Sequence, residues 1–222
     1  THIMKPDFLS DESYIENEDL GQLANIFTNL KKNTLPLAAL GIPEKVVNSN
    51  VKWRSPSSDF CEKIAEFSKK FSTKNPYKFL KILCEGDGSK RLPIKLPKDG
   101  EPVFFPKTDT VIGVIGLSCL GKPIKETLFR YELLPNLTSL DNYFIKSLQS
   151  ADIVTTDFLY RLCLSEKGLR KNITSQKFCI IFNQADILDE KALAEVITLR
   201  NQLQTKGICS HIISVKNNYI IN

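Results

Sequence analysis

The chain has 222 residues, of which 42% are hydrophobic and 25% are charged, and its formal net charge is +5. A chain of this size can bury a substantial core, so we predict a single domain over residues 1–222 with a proline-rich excursion at about 89–109. Its basic residues are not grouped in blocks interleaved with aromatic residues, which argues against a nucleic-acid-binding protein.

Cysteine and histidine are the candidate metal-binding and redox side chains. No two cysteines form a C-x-x-C pair, and the chain has two histidines, His2 and His211, so we expect no zinc site. Cys84, Cys179 and Cys209 lie in or beside apolar runs and are expected to be small buried hydrophobes. Reduced thiols, no signal peptide and no apolar run of roughly 20 residues predict a cytoplasmic protein without membrane contact.

Apolar spacing predicts helices and apolar runs predict strands, in alternation along most of the chain. Before the proline-rich loop we predict a helix at 17–32, a connection at 34–56 with a short strand at Leu35–Leu40, a helix capped at Ser57–Asp59 and ending at Asn75-Pro76, and a strand at Tyr77–Cys84. After the loop we predict a strand at Thr110–Ile115 and helices at 124–132, 139–149 and 155–164. The chain then continues with a strand at Lys177–Phe182, a helix at Asp189–Lys206 and a last strand at Ile208–Val215. This order predicts an α/β fold, with a mainly parallel sheet and helices on both faces.

Ligands of such sheets bind beyond the carboxyl ends of the strands, so the loops after strands are the candidate sites. Glu85-Gly-Asp87-Gly88 follows the predicted strand "YKFLKILC". The carboxylates of Glu85 and Asp87 are able to hold Mg²⁺, and a glycine such as Gly88 lets the backbone approach a ligand closely. The segment resembles the D-x-x-G element of GTPases, with Glu in place of Asp. An ordinary acidic turn is the alternative.

The loop Asn183-Gln-Ala-Asp186 follows the predicted strand "KFCIIF". It resembles the N-K-x-D element of GTPases, in which the Asp accepts hydrogen bonds from guanine that adenine cannot offer. Gln184 replaces the Lys that packs on the base, which weakens the packing and the preference for guanine. The alternative is that Asp186 or Asp189 only caps the following helix.

Ser214-Val-Lys216 follows the last predicted strand and resembles the S-A-K element that supports guanine in GTPases. A match of three residues means little by itself. The order of strand, N-x-x-D, long helix, strand and S-x-K is more informative than either element alone. We therefore predict that Asn183, Asp186, Ser214 and Lys216 form a nucleotide-base site.

The stretch "GVIGLSCLGKP" contains G-x-x-x-x-G-K from Gly116 to Lys122, as in a phosphate-binding loop. Pro123 stands where that loop needs a Ser or Thr hydroxyl for Mg²⁺, and proline also lacks an N–H group. Proline suits the first turn of a helix. We predict a turn between a strand and a helix, with Lys122 able to supply a cation to a phosphate. Cys119 is predicted to be a buried filler, with a nucleophilic thiolate as the alternative.

The segments "EGDGSKRLPIKLP", "EPVFFP", "VIGVIGLSCLGKP" and "IIFNQADIL" together resemble the YqeC family, the accessory proteins of selenium-dependent molybdenum hydroxylases. The opening "THIMKP" resembles the end of that family's T-T-T-T-H-I segment, and Thr1–Met4 is expected to end a strand. The resemblance implies a P-loop NTPase-like fold whose phosphate loop lies upstream of Thr1, so the chain is expected to be incomplete at its N-terminus. It also implies that Thr1 and His2 lie near the γ-phosphate.

Within that family pattern, Glu85 and Asp87 take the metal and phosphate position and Asn183 and Asp186 the base position. The leading hypothesis is an NTPase-like accessory factor that binds Mg²⁺ and GTP or ATP and assists maturation of the hydroxylase. The alternative is a non-catalytic scaffold that docks the hydroxylase or its molybdopterin or selenium cofactor. The basic side chains of the proline-rich loop, which are Lys90, Arg91 and Lys95, would then bind the anionic partner.

Overall fold

The computed structural model describes residues 2–5, 14–28, 38–47, 50–74, 81–137 and 152–221. The chain divides into a first unit, residues 1–88 with 103–107, and a second unit, residues 89–102 with 108–222. The assignment of residues 1–222 to a single domain stays a prediction. None of the helices in these ranges is long and apolar enough to cross a membrane.

In its described residues the first unit has two helices and five short strands. Its elements are β1 (His2–Met4), β2 (Tyr14–Ile15), α1 (Leu20–Thr28), β3 (Ala39–Leu40), β4 (Ile42–Val47), β5 (Asn50–Arg54) and α2 (Ser58–Lys74). Strands β1, β5 and β4 form an antiparallel sheet in that order, and β2 pairs with β3 in parallel. Both helices contribute to one apolar core, in which Leu23 and Phe27 of α1 pack with Phe60 and Ile64 of α2 around Ile15.

The two predicted helices of this unit are confirmed in the described residues. Helix α1 covers Leu20–Thr28 of the predicted 17–32, and residues 29–32 lie outside the described ranges. Helix α2 begins after Ser57, whose hydroxyl oxygen accepts a hydrogen bond from the backbone N–H of Phe60 at 3.2 Å. This bond satisfies one of the N–H groups that a helix leaves unpaired in its first turn.

Two predictions for this unit are wrong. The connection at 34–56 contains the hairpin of β4 and β5, which is mostly exposed and therefore lacks the apolar alternation that marks a half-buried strand. The segment Lys81–Cys84 of the predicted strand Tyr77–Cys84 has no regular structure, and Leu83 is 91% exposed. An apolar run becomes a strand only where a neighbouring strand takes up its backbone hydrogen bonds. Residues 75–80 lie outside the described ranges.

The second unit contains the four-stranded sheet and the larger of the two buried apolar clusters. Its elements are β6 (Ile94–Lys95), β7 (Thr110–Gly116), α3 (Ile124–Thr127), β8 (Leu128–Phe129), α4 (Thr156–Leu164), β9 (Lys177–Asn183), α5 (Glu190–Thr205), β10 (Cys209–Ser214) and β11 (Tyr219–Ile221). The sheet order is β11-β10-β9-β7. Strands β7, β9 and β10 are parallel, and β11 is an antiparallel edge strand. Strands β6 and β8 form a separate parallel pair.

The two faces of the larger sheet differ. On one face Ile115, Ile180 and Ile212 pack in the same buried cluster as side chains of α4 and α5. On the other face Ile112, Val114 and Ile220 are 48%, 56% and 62% exposed. The α/β class is therefore confirmed, whereas the expected helices on both faces are not found in the part of the chain that the structure describes.

The elements around β9 and β10 follow the prediction closely. Helix α5 is capped by Asp189, whose carboxylate accepts from the N–H of Ala192 at 2.7 Å, and it is followed by Gly207 with φ +75°. Helix α4 is capped by Thr155, which accepts from the N–H of Phe158 at 3.1 Å. These caps fix where each helix starts, and therefore where the preceding loop must end.

Three predictions at other places in this unit need correction. The helix predicted at 124–132 ends at Thr127, because the chain then pairs as β8 and continues as a 3₁₀ helix at Tyr131–Leu137. Strand β10 is not the last strand, since β11 follows it through a tight turn. The proline-rich loop includes β6, and the helix predicted at 139–149 lies outside the described residues.

Candidate functional site

The predicted base-site residues meet at the carboxyl end of the sheet. Strands β9 and β10 are parallel neighbours, so the loops that follow them lie at the same edge. The hydroxyl of Ser214 donates a hydrogen bond to Oδ1 of Asp186 at 2.6 Å. Oδ1 of Asn183 accepts from the backbone N–H groups of Gln184 at 2.8 Å and Val215 at 3.3 Å. The structure thus brings together the N-x-x-D and S-x-K elements.

This arrangement fixes the position of one carboxylate. Ser214 is buried, and its oxygen accepts from the N–H of Asn217 at 3.1 Å, so its hydroxyl proton is directed at Asp186. Asp186 is half-buried and has a second carboxylate oxygen that a ligand can use. The cap of α5 is Asp189 and not Asp186, which removes the alternative that Asp186 serves only as a helix cap.

Gln184 differs from the Lys of the N-K-x-D element in charge, and its side chain is engaged within the protein. Its backbone is left-handed, with φ +71°, and its side-chain oxygen accepts from the N–H of Ser118 at 3.3 Å. A Cβ at Gly116 would come within 2.8 Å of the same oxygen. Gln184 therefore ties the base-site loop to the turn after β7.

Lys216 lies in the turn between β10 and β11, and its side chain is exposed. It is adjacent in sequence to the fixed Ser214–Val215 pair, but its ammonium group extends into solvent. The structure therefore places Lys216 at the edge of the base site.

The loop at Gly116–Pro123 is a closed turn. Residues Leu117–Cys119 form a 3₁₀ helix, and Pro123 precedes α3, as the sequence predicts. Five backbone N–H groups of this turn donate to acceptors within the protein: Gly116 to Pro93, Ser118 to Gln184, Leu120 to Leu117, Gly121 to Val154 and Lys122 to Cys119. A phosphate loop must direct such groups at its ligand, so this turn is not a phosphate cradle. The side chain of Lys122 is exposed.

Cys119, within the same turn, is fully buried. Burial raises the pKa of its thiol to about 12. Burial and the raised pKa both disfavour a nucleophilic thiolate at this position. The small buried filler is confirmed.

Glu85, Asp87 and Gly88 lie in the first unit, in a segment without regular structure. Glu85 is exposed and Asp87 is half-buried, and the carbonyl of Gly86 between them accepts from the N–H of Val103 at 3.2 Å. Oε1 of Glu85 is 3.3 Å from where a Cβ at Gly88 would be, so the absence of a side chain there admits the carboxylate. Two carboxylates suit Mg²⁺, which proteins often bind through one or two carboxylates together with substrate phosphates.

The remaining predicted nucleotide contacts are at the start of the chain. Thr1 lies outside the described residues. His2 is in β1, where it pairs with Arg54 of β5, in agreement with a strand at this position.

An ion-pair cluster occupies part of the predicted docking surface. Lys95 is 8% exposed, and its ammonium lies 2.7 Å from Oε2 of Glu101. Arg130 contacts both carboxylate oxygens of Glu101. The hydrogen bonds from Arg130, and then from Lys95, lower the pKa of Glu101 to about 2. Lys95 is thus neutralised within the protein and is not available to an anionic partner, whereas Lys90 and Arg91 are exposed.

A cluster that the sequence did not predict lies on the exposed sheet face. The Sγ atoms of Cys179 and Cys209 are 3.4 Å apart, and Nε2 of His211 is 3.4 Å from Sγ of Cys209. Burial, and then the Cys209 thiol, raise the pKa of Cys179 to about 11. The expectation that Cys84 and Cys209 are buried hydrophobes is wrong, because both are exposed. The signal in the sequence was the Cys-x-His pair of Cys209 and His211 in a predicted strand. Its partner, Cys179, could not be identified because that contact depends on strand register.

Comparison with protein families finds one match. A family model described as YqeC protein matches residues 1–132, which is more than half of the chain. No curated protein and no solved structure matches the chain. The matched range includes Glu85, Asp87 and Lys122, and it ends before Asn183. The geometry of the base site is therefore an observation on this chain alone.

Proposed function

The chain belongs to the YqeC family, and on that premise we propose that it is a nucleotide-binding, NTPase-like accessory factor in the maturation of a selenium-dependent molybdenum hydroxylase. The hydroxylase, or a donor of its cofactor, would be the protein partner. The nucleotide part of the proposal depends on one arrangement in the second unit, and the selenium and molybdenum part depends on the family resemblance.

The hydrogen bond from Ser214 to Asp186 is the observation that carries the proposal. It holds a carboxylate at the carboxyl end of two parallel strands, which is where sheets of this class bind ligands. A fixed carboxylate with one oxygen available can accept the N1–H or the exocyclic amine of guanine. Because the site is already held by Asn183 and Ser214, little conformational entropy would be lost on binding.

Gln184 modifies this preference. Its side chain is engaged with the N–H of Ser118, so it does not supply the aliphatic stem and positive charge of a Lys on the base. We therefore propose a base site that selects guanine through Asp186 but binds it more weakly than an N-K-x-D loop would.

Glu85 and Asp87 are the residues that would hold Mg²⁺, which neutralises phosphate charge in nucleotide chemistry. Both offer the hard oxygen atoms that Mg²⁺ prefers. The turn at Gly116–Pro123 does not take part in phosphate binding under this proposal, because its N–H groups are engaged within the protein. Lys122 remains able to act through charge alone.

The proposal is tested by calorimetric titration of the chain with GTP and with ATP in the presence of Mg²⁺. We expect GTP to bind more tightly than ATP. Replacement of Asp186 by Ala should weaken GTP binding by at least about tenfold, because a hydrogen bond to a charged group is worth about 1.5–3 kcal/mol. The affinity for ATP should change little.

Asp189→Ser is the matched control for this titration. It removes a carboxylate three residues along the chain but retains an oxygen that can cap α5. Nucleotide binding should therefore survive in Asp189→Ser. GTP affinity that is the same in Asp186→Ala and in the unaltered chain would overturn the proposal, as would absence of binding of either nucleotide to the chain extended through the residues upstream of Thr1.

A further inference from the structure

Cys179, Cys209 and His211 are brought together by the pairing of two parallel strands. In the register of β9 and β10, Cys179 is directly opposite Cys209. His211 is two residues beyond Cys209 on the same strand, and side chains at i and i+2 of a strand point to the same face. One face of the sheet therefore presents two thiols and an imidazole. The backbone hydrogen bonds between the strands set this arrangement.

The distances between the donor atoms suit a single metal ion. For tetrahedral Zn²⁺, with bonds of about 2.3 Å to sulfur and about 2.0–2.1 Å to nitrogen, two sulfur ligands are about 3.8 Å apart and a sulfur and a nitrogen about 3.6 Å apart. The observed separations are 3.4 Å for Cys179 Sγ to Cys209 Sγ and 3.4 Å for Cys209 Sγ to His211 Nε2. All three donor atoms lie within 4.8 Å of one another. Small side-chain rotations would complete the geometry.

The surroundings of the cluster allow an ion to enter. Cys209 and His211 are exposed and Cys179 is half-buried, so the donors are reached from solvent without opening the core. Cys179 is directly opposite Ile112 of β7, which gives the site an apolar wall on one side. In the described ranges, this is the one group of three His, Cys, Asp or Glu side chains whose donor atoms converge in this way.

We propose that Cys179, Cys209 and His211 form a binding site for one thiophilic metal ion of the Zn²⁺ class. Two thiolates and one imidazole are soft to borderline ligands, which favour Zn²⁺ or Cu⁺ over Mg²⁺ or Ca²⁺. Three protein ligands leave the fourth coordination position to water or to a further ligand, as in catalytic zinc sites.

This site is distinct from the proposed nucleotide site. Cys179 and Asn183 are four residues apart on β9, which corresponds to about 13 Å along a strand. Asn183 and Asp186 lie at and beyond the carboxyl end of that strand, whereas Cys209 is the first residue of β10. Metal binding therefore does not depend on nucleotide binding, and either proposal can fail without the other.

The test is metal binding by the full chain, reduced with a phosphine and freed of metal by a chelator. Zn²⁺ is added in competition with a chromophoric chelator, and Co²⁺ is added separately as a spectroscopic probe. We expect one Zn²⁺ per chain. Co²⁺ should give thiolate-to-metal charge-transfer absorption and the intense visible bands of a tetrahedral ion.

Two double variants separate this site from general thiol binding. Cys179→Ser with Cys209→Ser should abolish the charge-transfer absorption and the stoichiometric binding of Zn²⁺. Cys61→Ser with Cys84→Ser is the matched control, since it also removes two thiols that are not fully buried, and it should leave both signals unchanged. His211→Ala should weaken Zn²⁺ binding by at least about 100-fold, because loss of an outer-shell partner alone costs 10–100-fold.

Circular dichroism of each variant without metal shows whether the fold is retained. Because Cys209 and His211 are exposed, we expect the single variants Cys209→Ser and His211→Ala to fold as the unaltered chain does. Substoichiometric Zn²⁺ binding by the unaltered chain would overturn the proposal. Zn²⁺ affinity that is the same in folded Cys209→Ser, His211→Ala and the unaltered chain would overturn it as well.

Discussion

Strands β9 and β10 carry different chemistry at their two ends. At the carboxyl end, Asn183, Asp186 and Ser214 present oxygen atoms that are held by hydrogen bonds. Toward the amino end, Cys179 and Cys209 present sulfur atoms that are 3.4 Å apart. The first group is held by hydrogen bonds between the two loops, whereas the second is brought together by strand register.

This difference shows how one sheet can support two kinds of site. Loops beyond the strands need specific side chains to hold their shape, so the carboxyl end has a recognisable pattern in the sequence. Side chains within strands are held by the ladder, so almost any residues can be brought together there. The cluster of Cys179, Cys209 and His211 therefore has no motif in the local sequence by which it could be recognised.

The largest expected effect comes from removing the core that both ends share. Phe182 of β9 is fully buried on the core face of the sheet, and Phe182→Ala should lower the free energy of unfolding by about 3–5 kcal/mol. Both nucleotide and metal binding should weaken in this variant. Urea unfolding measures the change, and Val114→Ala, on the exposed face, should change stability by no more than about 0.5 kcal/mol. A similar loss in both variants would contradict the assignment of the two faces.

The ion-pair cluster around Glu101 lies outside both ends of strands β9 and β10. Its removal should change stability without changing nucleotide or metal binding. Hydrogen bonds from Arg130 and Lys95 lower the pKa of Glu101 to about 2 from its ordinary 4.5, so the ionised carboxylate stabilises the folded state. Because this pKa is lower in the folded state, the contribution is present above about pH 4.5 and is lost as the pH falls toward 2. Urea unfolding of Glu101→Gln should show a stability deficit at pH 6 that narrows at pH 3. A deficit that does not change with pH would contradict the pairing.

Metal should stabilise the amino end without help from the carboxyl end. At a free Zn²⁺ concentration 100 times Kd, the free energy of unfolding should rise by about 2.7 kcal/mol. Thermal unfolding of the unaltered chain and of Asp186→Ala should show the same rise, whereas His211→Ala should show a much smaller one. A rise that depends on Asp186 would mean that the two ends are coupled.

Loss of the Ser214 hydroxyl should affect the carboxyl end alone. Ser214→Ala removes the hydrogen bond that holds Asp186, and we expect a loss of about 1.5–3 kcal/mol in stability because the acceptor is charged. GTP affinity should fall, since the carboxylate is no longer fixed. Zn²⁺ affinity, measured on the same sample, should not change. Unchanged GTP affinity would argue against the role of Ser214 in the base site.

The smallest effect is expected from the helix cap beside the base site. Asp189→Ala should cost about 1 kcal/mol in the free energy of unfolding, because it leaves the N–H of Ala192 without its side-chain acceptor. Asp189→Ser should recover most of this loss. Thermal unfolding distinguishes the three proteins, and an equal melting temperature for all of them would contradict the capping role.

The grouping of Asn183, Asp186 and Ser214 was largely predictable from the sequence, because all three follow strands at standard positions. Two apolar runs separated by one long amphipathic helix predict adjacent parallel strands, and the loops after such strands meet at one edge. Asn183, Asp186 and Ser214 could therefore be grouped before their contacts were known. What could not be predicted was the orientation of Gln184, which depends on the turn at Ser118.

Two other elements could not be predicted, for different physical reasons. The hairpin of β4 and β5 pairs residues that are close in sequence, Val47 opposite Asn50, but β4 is mostly exposed and carries no apolar alternation. The apolar run ending at Cys84 has no strand over Lys81–Cys84, because a strand there would need a backbone partner elsewhere in the chain. Local composition carries no information about that partner.

The sequence by itself indicated helices α1, α2, α4 and α5, the capping residues Ser57 and Asp189, and the meeting of Asn183, Asp186 and Ser214 at one edge of the sheet. These features depend on interactions between residues close in the chain or on regular crossover geometry. Only the tertiary structure decided that Cys179 faces Cys209 and His211, because a shift of one residue in strand register would move the partner side chain to the opposite face. It also decided that Lys95 is neutralised by Glu101, since that contact joins a loop to a side chain whose position depends on the packed core.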